Sequence, residues 1–196
     1  MSDDSPSSLV PVRSSERHHI CALFADVVGS TRLSQTLPLE AYYEVMVEAV
    51  QLLILSCAAN GGDVLQHQGD SVLALWDARH TPHALEAAFA LHDRLGRLVV
   101  AKQRGLHLQL HAGVACGEVI FGEIVGARSA YGTPLNLARR LCDLATPGEI
   151  LLCEETTRRV PPTLVDAGRR EVPRGFPPVM ISRLLYSPSR GDMKIG

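Results

Sequence analysis

Two aspartates, Asp26 and Asp70, stand beside glycines where short apolar runs end, in Phe24-Ala-Asp26-Val-Val-Gly29-Ser-Thr31 and in Gln68-Gly69-Asp70-Ser71. Glycine lets the backbone bend close to a ligand, and hard carboxylate oxygens suit Mg²⁺ or Mn²⁺. Magnesium takes few protein carboxylates and fills its shell with water and phosphate oxygens, so a pair of aspartates is a sufficient site for a bound triphosphate. Beyond Asp26, the run Gly29-Ser30-Thr31 opens a helix whose free N–H groups suit β- and γ-phosphates. Taken singly, either aspartate is equally what a turn or a helix cap uses. Asn136 and Arg140 shift that balance, because residues four apart project from one helical face while Leu137, Leu141 and Leu144 occupy another. An amide and a guanidinium together can hold a ribose and an α-phosphate while charge builds on a pentavalent phosphorus.

Composition narrows the partners. The 196 residues are 46% hydrophobic and 20% charged, with 19 basic against 21 acidic side chains, so no basic stripe marks a nucleic-acid binder. The five cysteines are odd in number and form no C-x-x-C pair, which predicts buried, reduced thiols. His18, His19, His67, His80 and His83 close no four-ligand zinc spacing. The first residues lack the apolar core of a signal peptide, and no 18 consecutive apolar residues occur, so a cytoplasmic protein without a membrane span is expected.

The elements that must position these residues are legible in outline. Residues 18–24 read as a strand, and 39–59 as a helix with apolar Tyr42, Val45, Met46, Ala49 and Leu53 and a stop at Asn60-Gly61-Gly62. Residues 64–68 and 71–76 predict a hairpin with Asp70 at its tip. A helix follows from an N-cap at Thr81, with Leu85, Ala88, Phe89, His92 and Leu95 as its buried stripe. Strands are predicted over 106–114 and 119–124, a helix from Thr133 to near Gly148, and shorter strands over 150–153, 163–172 and 179–186. This order describes an α+β sandwich with helices on one face of a mostly antiparallel sheet. Residues 1–17 and 187–196 read as flexible arms around a domain spanning 18–186.

The motifs taken in order point to a family. Phe24-Ala-Asp26-Val-Val-Gly-Ser-Thr, Gln68-Gly-Asp70-Ser-Val-Leu-Ala-Leu-Trp76, Gly113-Val-Ala-Cys-Gly117-Glu-Val, Gly132-Thr-Pro-Leu-Asn136-Leu-Ala-Arg-Arg140-Leu and Ala145-Thr-Pro-Gly-Glu-Ile150 closely resemble the class III adenylate and guanylate cyclase catalytic domain, over residues 20–186. The resemblance implies a ferredoxin-like sandwich that works as a head-to-tail homodimer with active sites at the interface. It implies two divalent cations, Mg²⁺ or Mn²⁺, held by Asp26, Asp70 and the carbonyl of Val27. Asn136 then orients the ribose, Arg140 stabilises the transition state, and Arg174 stands where the family often has a phosphate-binding Lys. The implied reaction is attack of the ribose 3′-oxygen on the α-phosphorus with loss of pyrophosphate.

Two positions depart from the family's ATP-using members, which read adenine with a Lys and an Asp or Thr where this chain has Gln66 and Ser129. Gln both donates and accepts and Ser does either, so this pair commits to no base. Guanylate cyclases tend to carry Glu at the first position. A lone cyclase domain with such a pair looks like the pyrimidine cyclases of Pycsar antiphage defence, which make cyclic UMP or cyclic CMP for a separate effector protein. An adenylate cyclase is the alternative, and an inactive nucleotide-binding dimerisation module a third. A GGDEF-type enzyme is disfavoured, because Gly61-Gly62-Asp63-Val64 lies at a helix end.

Overall fold

A computed structural model describes residues 16–185; most of the first expected arm, Tyr186 and the tail lie outside the described residues. The strands are β1 (Arg17–Val27), β2 (Asp63–Gln68), β3 (Ser71–Asp77), β4 (Leu110–Ile124), β5 (Ala127–Tyr131), β6 (Ile150–Cys153), β7 (Arg169–Glu171) and β8 (Val179–Arg183). The helices are α1 (Ser30–Thr36), α2 (Leu39–Ala59), α3 (Thr81–Leu95), α4 (Val99–Gln103), α5 (Thr133–Leu144) and α6 (Glu154–Thr157). One sheet runs β2-β3-β1-β4-β6-β8-β7, with β5 hairpinned onto β4. Only β4 and β6 pair parallel; every other pairing is antiparallel.

β1 is central, and its apolar run without alternation is what a strand covered on both faces looks like. Cys21, Leu23, Ala25 and Val27 face a core built with α2, α3 and α4. Ile20, Ala22 and Phe24 face a second core built with α5. Helices therefore cover both faces, and the expectation of a one-sided sandwich is corrected. The apolar stripe of α2, including Val45, Met46, Ala49, Leu53 and Cys57, is buried in the first core, although the helix has the length and hydropathy of a membrane span.

Several boundaries moved for tertiary reasons. The two strands predicted over 106–114 and 119–124 are one 15-residue strand, β4, paired with β1 from Leu110 to Ile120 and with β5, which was not anticipated, from Ile120 to Ile124. Residues 163–172 form a 3₁₀ turn, an isolated bridge at Val165 and the three-residue β7 rather than one strand. Thr81 does not cap α3: its buried hydroxyl donates to the Ala78 carbonyl at 2.7 Å. All five cysteines are buried free thiols.

α5 reaches the sheet because Gly113 of β4 has no side chain. A Cβ there would lie 2.1 Å from the Ala138 carbonyl oxygen and 2.6 Å from the Cys142 nitrogen. This close approach sets the position of every side chain that α5 presents.

Candidate active site

The first group of site residues gathers where β1 ends. Asp26 is the penultimate residue of β1, in register with Ser71 on one side and His111 on the other. Asp70 occupies the tip of the β2–β3 hairpin, where Gly69 takes a left-handed φ of 60° that disfavours any residue with a Cβ. The Val27 N–H donates to the Asp70 carbonyl at 3.3 Å and ties the two motifs together. The hydroxyl of buried Ser30, in the first turn of α1, donates to Asp70 Oδ2. It is thus engaged by a carboxylate, while the neighbouring Gly29 carbonyl closes the first turn onto the Leu33 N–H.

Burial pushes the Asp70 carboxyl above its ordinary pKa; the Ser30 hydroxyl opposes this and the charge of Asp26 adds to it. Two carboxylates that repel one another, held at a strand end and a hairpin tip, form a donor set that a hard divalent cation would relieve. The residues therefore fit the expected cation pair.

His111 was missed in the sequence. Its Nε2 lies 3.3 Å from Asp26 Oδ2 and its Nδ1 lies 3.2 Å from the Ala145 carbonyl. With an acceptor at each nitrogen, the ring can donate to both only in its protonated form. The hydrogen bond to Asp26 raises its pKa, against the effect of burial. The only signal was its place on the polar face of β4, and its partner lies 85 positions away in the chain.

The second group lines an open cleft of about 500 Å³ that includes Phe24, Gln66, Ser129, Tyr131, Asn136 and Arg139. Gln66 follows a bulge in β2, Ser129 lies opposite Gly122 in the β4–β5 hairpin, and Asn136 sits in the first turns of α5 after Pro134. The cleft thus unites Gln66, Ser129 and Asn136 from three separate elements. Arg140 does not line it: its guanidinium donates to Asp143 Oδ2 at 2.8 Å. At about 100° per residue, Arg140 and Arg139 lie on opposite sides of Asn136, and it is Arg139 that faces the cleft. Arg174 is exposed in the turn between β7 and β8 and makes no ion pair among the described residues.

Within one chain the two groups are joined by Ser71, which lines the cleft, adjoins Asp70 and is in register with Asp26, while Asn136 and His111 lie toward different ends of α5. Asn136 belongs to its start, whereas Ala145, bonded to the His111 that holds Asp26, caps its end. Nine residues of helix separate them by about 13 Å.

Comparisons with known proteins bear on the fold and the family. The adenylyl cyclase CyaB from P. aeruginosa has the same fold, with a TM-score of 0.78 at 22% identity over 88% of this chain and 96% of that one. The guanylyl cyclase Cya2 gives 0.78 at 24% identity, over 89% and 96%. Rv1318c, an uncharacterized protein of Mycobacterium tuberculosis, is 33% identical over 148 residues, which is 69% of this chain and 26% of that protein. The chain spans about a quarter of the length of such curated relatives. Residues 12–173 match the family described as "Adenylate and Guanylate cyclase catalytic domain", and the chain belongs to that family.

Proposed function

We propose that this chain is a nucleotide cyclase domain that converts a nucleoside triphosphate into its 3′,5′-cyclic nucleotide and pyrophosphate, as a head-to-tail homodimer. The observation that carries this reading is the meeting of a carboxylate pair at the end of β1 with a base- and ribose-sized cleft that begins beside it at Ser71 and runs to Gln66, Ser129 and Asn136. Antiparallel pairing of two copies sets the carboxylates of one against the cleft of its partner, and a two-fold axis then makes two such sites.

In this mechanism Asp26 and Asp70, with the Val27 carbonyl, would hold two Mg²⁺ or Mn²⁺, which neutralise phosphate charge and acidify the 3′-hydroxyl. Gly29, Ser30 and Thr31 lie against the β- and γ-phosphates. Asn136 fixes the ribose so that its 3′-oxygen lies in line with the α-phosphorus. Arg140 leaves Asp143 to accept the growing charge on the α-phosphate oxygens. A bond forms from the 3′-oxygen to phosphorus, the bond to the bridging oxygen breaks, pyrophosphate leaves and the hydroxyl proton passes to solvent. Arg174 assists at the phosphates.

For the base we favour a pyrimidine, making cyclic UMP or cyclic CMP for a separate effector in antiphage defence, in the cytoplasm. This rests on Gln66 and Ser129 in place of an adenine-reading Lys and Asp. Because both side chains can also serve adenine, an adenylate cyclase is the second reading. Purified protein given each of the four nucleoside triphosphates with Mn²⁺, with products identified by mass, tests both. No cyclic product from any of them would refute the cyclase, and cyclic AMP as sole product would refute the pyrimidine assignment.

A further inference from the structure

Among the groups lining the cleft that the reading above has not used is a cation, Arg139. Arg139 projects into it from α5 with its guanidinium 5.3 Å from the centre of the Phe24 ring. The other arginine of the cleft, Arg128, is committed twice, to Asp63 and to the face of Phe121 at 4.2 Å. Arg139 makes no ion pair or hydrogen bond among the described residues. It is an exposed cation over an aromatic ring, lining a cavity of small-ligand size.

Its chemistry differs in kind from that of its neighbours. Gln66 can reverse its amide and Ser129 can rotate its hydroxyl, so each matches a donor or an acceptor on a ligand. A guanidinium has five N–H donors, no acceptor and no accessible neutral form. It therefore gives the cleft a fixed polarity that the other two lack. Uracil, cytosine and guanine each carry a ring carbonyl oxygen that accepts from such a group, and a guanidinium takes it in plane, as in arginine's recognition of guanine. Adenine has no carbonyl: its N1 and N7 acceptors each sit beside the N6 amino donor, so a single-point Lys can pair there, whereas the two-donor fork of a guanidinium lying in plane pairs one N–H and leaves the other facing a donor.

We propose that Arg139 is a base-reading residue that selects a carbonyl-bearing nucleobase over adenine. The proposal rests on the reading that this cleft holds the base of a nucleoside triphosphate, and it places the discrimination in Arg139 rather than in Gln66 and Ser129.

The test measures binding of the α,β-methylene analogues of UTP and ATP, and of inorganic tripolyphosphate, by calorimetry with Mn²⁺, for the wild-type chain, Arg139→Ala and Arg139→Gln. Product formation from UTP and ATP is followed alongside. Arg139 is exposed, so the variants keep the fold, which far-UV circular dichroism verifies. The expected result is a fall of about tenfold in the UTP-to-ATP preference of Arg139→Ala, with tripolyphosphate affinity unchanged and Arg139→Gln in between. An unchanged preference would overturn the proposal. Equal losses for UTP, ATP and tripolyphosphate would overturn it as well, by assigning Arg139 to the phosphates. No binding of any of these by the wild-type chain would remove the cyclase reading itself, and the proposal with it.

Discussion

Replacing Gly113 with alanine tests whether the sheet's approach to α5 builds the site. The added Cβ would lie 2.1 Å from the Ala138 carbonyl oxygen, 2.6 Å from the Cys142 nitrogen and 2.7 Å from the Leu141 Cβ. Two of these are backbone atoms that no rotamer change can move. Restoring an ordinary 3.4 Å contact therefore requires α5 to retreat by about 1.3 Å. Ala138, Leu141 and Cys142 are buried there, so the retreat opens the second core along the helix. Overpacking of this kind costs about 3 kcal/mol, the upper end for one added methyl. With an m-value of about 2 kcal/mol/M, that is a fall of about 1.5 M in the urea midpoint. Asn136 and Arg140 ride on the displaced helix, and a misplacement of about 1 Å lowers turnover about 100-fold. Gly122→Ala is the control, since its added Cβ meets only the Tyr131 ring at 3.8 Å. A Gly113→Ala protein with the wild-type midpoint would refute the argument that this glycine sets the helix position. A shifted midpoint with undiminished turnover would refute the link from helix position to catalysis.

Asp70→Asn should lower Mn²⁺-dependent turnover by about a thousandfold or more, about 4 kcal/mol of transition-state stabilisation, without lowering the melting temperature. The reason is that Asp70 is a half-buried carboxylate repelled by Asp26; a melting temperature that drops by several degrees would count against this. Mixing an Asp70→Asn chain with an Asn136→Ala chain should recover about one quarter of wild-type activity, because half the dimers are mixed and each has one whole site. Failure of the mixture to exceed either variant, with exchange shown by cross-linking, would refute a shared site. His92 is a largely buried residue of α3 whose Nε2 has no partner among the described residues, and burial, with a smaller effect from His111, pulls its pKa down to about 4 from 6.5. The unfolded chain takes up this proton first, so the contribution is complete above pH 6.5 and about 3 kcal/mol is lost as pH falls to 4. Urea midpoints at pH 7.5 and 4.5 should show a steeper fall in the wild type than in His92→Leu, and parallel falls would refute the assignment.

What the sequence determined by itself is local. The bounds of α2 at Leu39–Ala59 and the Gly69-Asp70 hairpin follow from periodicity and turn chemistry, which act over a few neighbouring residues. The same local logic marks Asp26, Asp70 and Asn136 as candidates, because each stands in a short motif whose residue types suit the chemistry. Tertiary structure alone decided what meets across the chain. The pairing of His111 with Asp26 depends on the β1–β4 register, and no periodicity within either strand encodes it. The two-sided covering of β1 depends on which helices return to which face, so α5 had no assigned side until the second core was seen. On α5 itself, helical spacing marked Asn136 and Arg140 as neighbours, yet the salt bridge to Asp143 and the ring of Phe24 decided that Arg139 faces the cleft. Hydrogen bonding within a turn is fixed by residues already adjacent, whereas the direction of a long charged side chain is set by whatever partner the fold brings to it.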